Sequence, residues 1–188
     1  MPLWFDHFRL VAPWYDRIFC FLDPTRLHQL LALPAAGWAL DAGGGTGRVT
    51  QTLRQAVGAV VVVDESAGML RQARRKDLPV VQGELERLPF GDGVFARILM
   101  VDTFHHLRDQ QQAAAELLRV LSPQGRLVLE EQNVERFSIR LTALAEKMAL
   151  MRSHFRPPPL VQRMFEEAGG HVHLVRDGIN FWAVVEKT

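Results

Sequence analysis

Leu40-Asp41-Ala42-Gly43-Gly44-Gly45-Thr46-Gly47-Arg48, followed a strand later by Val60-Val61-Val62-Val63-Asp64, decides how the rest of the chain reads. Ahead of it, Gly37-Trp38-Ala39-Leu40 is a short apolar run expected as a buried strand. Behind it, Arg48 to Val57 has helical spacing and no breaker. Glycines between a strand and a helix let backbone approach a ligand, because no Cβ intervenes. The first turn of the helix would then offer amides to polar or anionic groups. Spacing separates the nucleotide loops. A dinucleotide fingerprint needs glycine at its first, third and sixth positions, and counted from Gly43 the sixth is Arg48. A P-loop ends in Gly-Lys-Ser/Thr, which Gly47-Arg48-Val49 does not supply. What remains is an acid followed by alternate glycines: Asp41, Gly43, Gly45 and Gly47.

Ala59 to Val63 is an unbroken apolar, β-branched run, as in a parallel strand buried on both faces, and it ends in Asp64. An acid at that strand end can accept hydrogen bonds from the two hydroxyls of a ribose. Capping the next helix is the other use of an acid here, but Ser66 already suits that task. Further strands are expected at Leu78–Gln82, Val94–Val101 and Arg126–Glu130. Helices are expected at Ser66–Lys76, from the Asp109 cap to Leu121, over 135–151 and after Pro157-Pro158-Pro159. His171–Val175 and Ile179–Val185 read as a closing hairpin across Arg176-Asp177-Gly178.

The acid–glycine pattern resembles motif I of the class I S-adenosylmethionine-dependent methyltransferases. Downstream blocks resemble the same family in order: Asp64-Glu65-Ser66-Ala67-Gly68-Met69-Leu70, Gly83-Glu84-Leu85-Glu86-Arg87-Leu88-Pro89-Phe90, Asp102-Thr103-Phe104-His105-His106-Leu107 and Arg119-Val120-Leu121-Ser122-Pro123-Gln124-Gly125. Glu84 stands where the family has aspartate, and Gln124 where it has glycine. The resemblance implies a three-layer α/β sandwich with a Rossmann-like, mainly parallel seven-stranded sheet and a C-terminal antiparallel hairpin strand. It implies one domain over 1–188, with 1–35 as a helical lid and 36–188 as the cofactor-binding core. The implied cofactor is S-adenosylmethionine. Asp41, Gly43, Gly44, Gly45 and Gly47 would meet its methionine portion, with Val101 nearby. Asp64 would meet the ribose, Glu84 and Leu85 the adenine, and Met69 would lie near the adenine face, with Glu65 and Gly83 as further cofactor-binding residues.

Tyr15, His105 and His106 are candidates to line the acceptor site, Tyr15 within the aromatic stretch Trp4 to Phe21. His106 is the candidate general base: an imidazole titrates where proton transfer near neutral pH needs it. The segments around Tyr15 and His106 resemble quinone-ring C-methyltransferases, implying a small aromatic or apolar acceptor. The alternative function is a protein that binds S-adenosylmethionine or S-adenosylhomocysteine without transferring the methyl group.

A length of 188 residues suits one domain, and 48% hydrophobic with 23% charged residues is ordinary for a globular chain. A net charge of +1 gives no basic field, so no nucleic-acid partner is expected. The single cysteine, Cys20, excludes an intrachain disulfide and fits a reducing compartment. No run approaches the ~18 apolar residues of a spanning helix. The first residues lack the basic flank of a signal peptide, so the expected location is cytoplasmic. His171 and His173 share a strand face without a third ligand in view, so no metal site is expected.

Overall fold

The computed structural model describes Ala12, residues 24–135 and residues 153–187. Tyr15, Cys20, most of the expected lid and the expected 135–151 helix lie outside the described residues. The elements are α1 (Pro24–Leu30), β1 (Ala35–Ala42), α2 (Thr50–Leu53), β2 (Val57–Asp64), α3 (Ala67–Arg74), β3 (Val80–Gln82), β4 (Phe95–Val101) and a 3₁₀ turn (Phe104–His106). They continue with α4 (Gln110–Val120), β5 (Leu121–Gln132), α5 (Pro158–Glu167), β6 (Gly170–Asp177) and β7 (Asn180–Lys187).

The seven strands form one sheet in the order β3-β2-β1-β4-β5-β7-β6. The first five run parallel, and β7 runs antiparallel to both β5 and β6. After β1 the chain winds outward to β3, then crosses back to β4 on the other side of β1. The crevice between the C-terminal ends of β1 and β4 is therefore the switch point, where open α/β sheets bind ligands.

Strand alternation sends one set of side chains to each face. Leu40, Val61, Ile98, Met100, Leu127 and Leu129 meet α4 and α5 through Ala113, Leu117, Leu118, Val161 and Phe165. Leu99, Val128, Trp182 and Val184 meet Leu27 of α1, Leu31 just beyond it, Val49, and Leu53 of α2. Val62 meets Leu70 and Ala73 of α3 on that same side. The three layers are as expected, and each large apolar side chain in them contributes roughly 1.5–3 kcal/mol on burial.

Local expectations divide. Ser66 caps α3 by accepting from the Met69 amide at 3.3 Å, and Asp109 caps α4 through the Gln112 amide at 3.0 Å. Trp38, expected in a buried strand, is 53% exposed, because β1 is covered only from Ala39 onward. The expected Arg48–Val57 helix is only Thr50–Leu53: the glycine turn continues through Val49, and Val57 already belongs to β2. β5 begins at Leu121 instead of Arg126, with an irregular register between the pairs Phe95–Leu121 and Arg97–Arg126. Gln124, inside that irregularity, has φ +61, the backbone region glycine tolerates best.

Candidate active site

Two turns form the crevice: Asp41–Gly47 after β1 and Asp102–Leu107 after β4. The glycine turn is held mostly from within the protein. Gly43 and Gly44 donate to the Val63 carbonyl at 2.7 and 3.2 Å, and Gly47 donates to Gly44 at 2.8 Å. The Gly45 amide donates to Asp64 Oδ2 at 3.0 Å. These amides are engaged, so the turn differs from the expected row of free donors at a helix start. A helix as short as α2 adds no such row.

The glycines also have protein reasons to be glycine. A Cβ on Gly43, at φ +70, would lie 2.2 Å from Thr103 Cγ2. On Gly44 it would lie 2.5 Å from the Asp41 carboxyl carbon, and on Gly47 it would lie 2.1 Å from Leu78 Cδ1. On Gly45 it would lie 3.0 Å from Met69 Cε. Met69 therefore packs beneath the turn, only 4% exposed. Thr103 closes the crevice from the β4 side, its hydroxyl within 3.1 Å of the Gly43 carbonyl and 3.0 Å of the Val101 carbonyl.

Asp41 is buried below Gly44 and accepts from the Thr50 hydroxyl at 2.5 Å. Burial pushes its carboxyl up to about 6, against the Thr50 hydrogen bond and the Arg48 charge. Asp64 stands at the end of β2, half-buried, and its Oδ1 accepts from the Ser66 amide at 2.7 Å. Gly83 is tied to the same strand end through the Asp64 carbonyl at 3.2 Å. Glu65 and Glu84 are exposed and flank Arg108, at 3.7 and 3.9 Å. Half-exposed pairs of that length contribute little, about 0–1 kcal/mol. The Leu85 side chain is in the core.

The adjacent histidines have different surroundings. His105 is buried, its Nδ1 2.6 Å from Glu131 Oε2, and its ring stacks on Phe155 at 4.2 Å and 11°. Its amide also donates to Glu131 Oε1 at 3.3 Å. The ring is thus held by a carboxylate 26 residues away. His106 is half-buried, and its ring packs on His105 with centroids 3.9 Å apart.

Sequence reading missed Arg48, Thr103, Glu130, Glu131 and Asn180 as residues of this region. The one available signal was the pair of acids at the C-terminal end of an expected parallel strand. Glu130 accepts from Asn180 Nδ2 at 2.8 Å. Burial pushes its carboxyl up to about 7, the Asp102 charge adds to that, and Asn180 and Arg48 oppose it. Asp102 itself has φ +48, an uncommon conformation for a residue with a side chain.

Among known protein families, residues 40–129 match the methyltransferase domain. A demethylmenaquinone methyltransferase of Renibacterium salmoninarum is 30% identical over 181 residues, covering 92% of this chain and 74% of that protein. Another, from Mycolicibacterium vanbaalenii, is 30% identical over 155 residues, covering 82% of this chain and 65% of that protein. Among solved structures, a SAM-dependent methyltransferase of Thermotoga maritima superimposes with a TM-score of 0.78 at 24% identity, covering 96% of this chain and 98% of that one. The structural likeness carries the fold, and the sequence match along most of the chain carries the family. The chain belongs to the class I S-adenosylmethionine-dependent methyltransferases, with S-adenosylmethionine as its cofactor.

Proposed function

We propose that this methyltransferase acts on a small aromatic acceptor of the quinone or quinol type. The named relatives are demethylmenaquinone methyltransferases, and similarity to them at 30% identity is the observation that carries the acceptor class. The net charge of +1 favours a small acceptor over a polyanion.

The residues of the crevice fit the cofactor. The turn of positive-φ glycines is a concave backbone surface, and Asp64 supplies a carboxylate for vicinal hydroxyls at the end of β2. In this reading Asp64, with Glu65 beside it, accepts from the ribose. Glu84 and the Leu85 amide meet the adenine, with Gly83 keeping the backbone close. Gly43, Gly44, Gly45, Gly47 and Val101 border the methionine portion. Asp41 acts from beneath, holding Thr50 and the turn, and Met69 packs under Gly45.

The cofactor supplies an activated methyl group on a sulfonium. The protein's task is alignment of the acceptor, which alone can supply an effective molarity on the order of 10⁵–10⁸ M. His105, clamped by Glu131 and Phe155, positions His106 at the acceptor side of the crevice. Tyr15 belongs to the same proposed acceptor set.

The test is calorimetric titration with S-adenosylmethionine, then methyl transfer to anaerobically reduced 1,4-naphthoquinone. Micromolar cofactor binding and a methylated product are expected. Cofactor binding with no transfer to any aromatic acceptor would favour the binding-only alternative.

A further inference from the structure

The polar groups on the α1–α2 face of the sheet are not absorbed by cofactor binding. Register locates them. Asp41 pairs with Leu99 and Leu99 with Val128, so Glu130, two residues further along β5, stands level with Gly43. Two strand spacings put it about 10 Å to the side, on the order of one small ring system. Leu99 and Val128 pack under α1 and α2, so Glu130, of the same parity, shares their face of the sheet.

Asn180, at the start of β7, holds Glu130 Oε1. Among the described residues, Glu130 Oε2 is buried with no hydrogen-bond partner. Arg48 Nε, at the end of the glycine turn, is likewise buried without a partner. The charged groups acting on Glu130 among the described residues are Asp102 from the end of β4, Arg48 from the turn and Glu131 on its own strand. A buried acceptor atom left unsatisfied is unfavourable and rare, and such groups concentrate where a ligand completes them.

We propose that Glu130 is the catalytic base that takes the proton of an acceptor ring hydroxyl, aimed by Asn180. The inference rests on the aromatic-acceptor reading above. A carboxyl pushed up to about 7 accepts and returns a proton near neutral pH. The hydroxyl O–H bond breaks as Oε2 takes the proton. The released electron pair reaches the adjacent ring carbon, which bonds to the sulfonium methyl carbon. The methyl–sulfur bond breaks with its pair on sulfur. The methylated ring carbon then loses its hydrogen to water as a proton, the ring is restored, and Glu130 returns its proton to the oxygen.

Glu130→Gln keeps size and an acceptor for Asn180 but cannot take the proton. Its S-adenosylmethionine affinity should stay within about twofold. Its transfer to anaerobically reduced 1,4-naphthoquinone should fall at least ~100-fold, with the acidic limb near pH 7 gone from the kcat profile. Asn180→Ala should retain activity with that limb moved to higher pH, since its hydrogen bond holds the Glu130 carboxyl down. In the presence of S-adenosylhomocysteine, Glu130→Gln should keep its affinity for 1-naphthol, whereas Glu130→Leu should lose it about tenfold. Wild-type turnover in Glu130→Gln, or unchanged naphthol affinity in Glu130→Leu, overturns the base assignment alone. A wild-type protein that binds cofactor but neither binds nor methylates these aromatic hydroxyls overturns the acceptor reading and this inference with it.

Discussion

The two halves of the crevice are built differently. On the β1–β2 side, Asp41, the glycine turn, Asp64 and Ser66 lie within 26 residues and bond one another directly, as in the Gly45–Asp64 and Asp64–Ser66 pairs. On the β4–β5–β7 side, the partners come from far apart: His105 with Glu131, 26 residues on, and Glu130 with Asn180, 50 residues on. The first side is a self-braced turn whose glycines are dictated by neighbouring side chains. The second is a set of buried polar groups that exist only once the sheet has assembled. In the function proposed above, cofactor binding draws on the first side and discrimination among acceptors on the second.

Asp64→Ala tests the first side with the largest effect. Two hydrogen bonds from ribose to a carboxylate contribute roughly 3–6 kcal/mol, so calorimetry should find cofactor affinity weakened at least ~100-fold. The same variant loses the brace to Gly45 and Ser66, so its melting temperature should fall as well. Unchanged affinity would sink the ribose assignment.

His105→Ala tests the second side. Removing one partner of a buried hydrogen bond leaves the other unsatisfied, at a cost of about 1–3 kcal/mol, so denaturant midpoints should drop. The paired change His105→Leu with Glu131→Leu should cost less than His105→Ala alone. Cofactor affinity in the folded variants should stay near wild type. A joint loss of cofactor binding would show that the two sides are coupled.

The third prediction uses the Glu130 titration. Its carboxyl is raised from 4.5 to about 7 in the folded protein. Between those values the unfolded chain has released a proton that the folded protein keeps, so stability falls as pH rises through that window. Glu130→Gln removes this slope. The variant should match wild type near pH 4 and exceed it by roughly 3 kcal/mol at pH 8, at ~1.4 kcal/mol per pH unit. Equal stabilities across that range would mean that the carboxyl is not held up by burial.

The smallest effect lies outside the crevice. Gln124→Gly relieves a left-handed backbone, gaining on the order of 1–2 kcal/mol, against about 0.4–1 kcal/mol of unfolded-state entropy. A net gain near ~0.5 kcal/mol is expected by chemical denaturation, with cofactor affinity unchanged. A destabilised variant would show that the Gln124 side chain supports the β5 bulge.

Sequence legibility follows the same division. The order of strands and helices, the caps at Ser66 and Asp109 and the closing hairpin were readable, because periodicity and capping are local. The Trp38 exposure and the length of α2 were not, since both depend on what covers a segment from elsewhere. Adjacent residues carried no sign that His105 would be buried against Glu131 while His106 would remain half-buried.

The sequence by itself determined the α/β class, the position of the glycine turn and the family, because glycine spacing and strand-end acids are written in consecutive residues. Only the tertiary structure decided why each glycine must be one: Thr103, Asp41 and Leu78 occupy the space a side chain would need. Only it decided which acids are buried, because dielectric environment and hydrogen-bond partners arise from strands brought together by the fold. The polar cluster around Glu130 exists through the register of β1, β4, β5 and β7, which no single stretch of the chain contains.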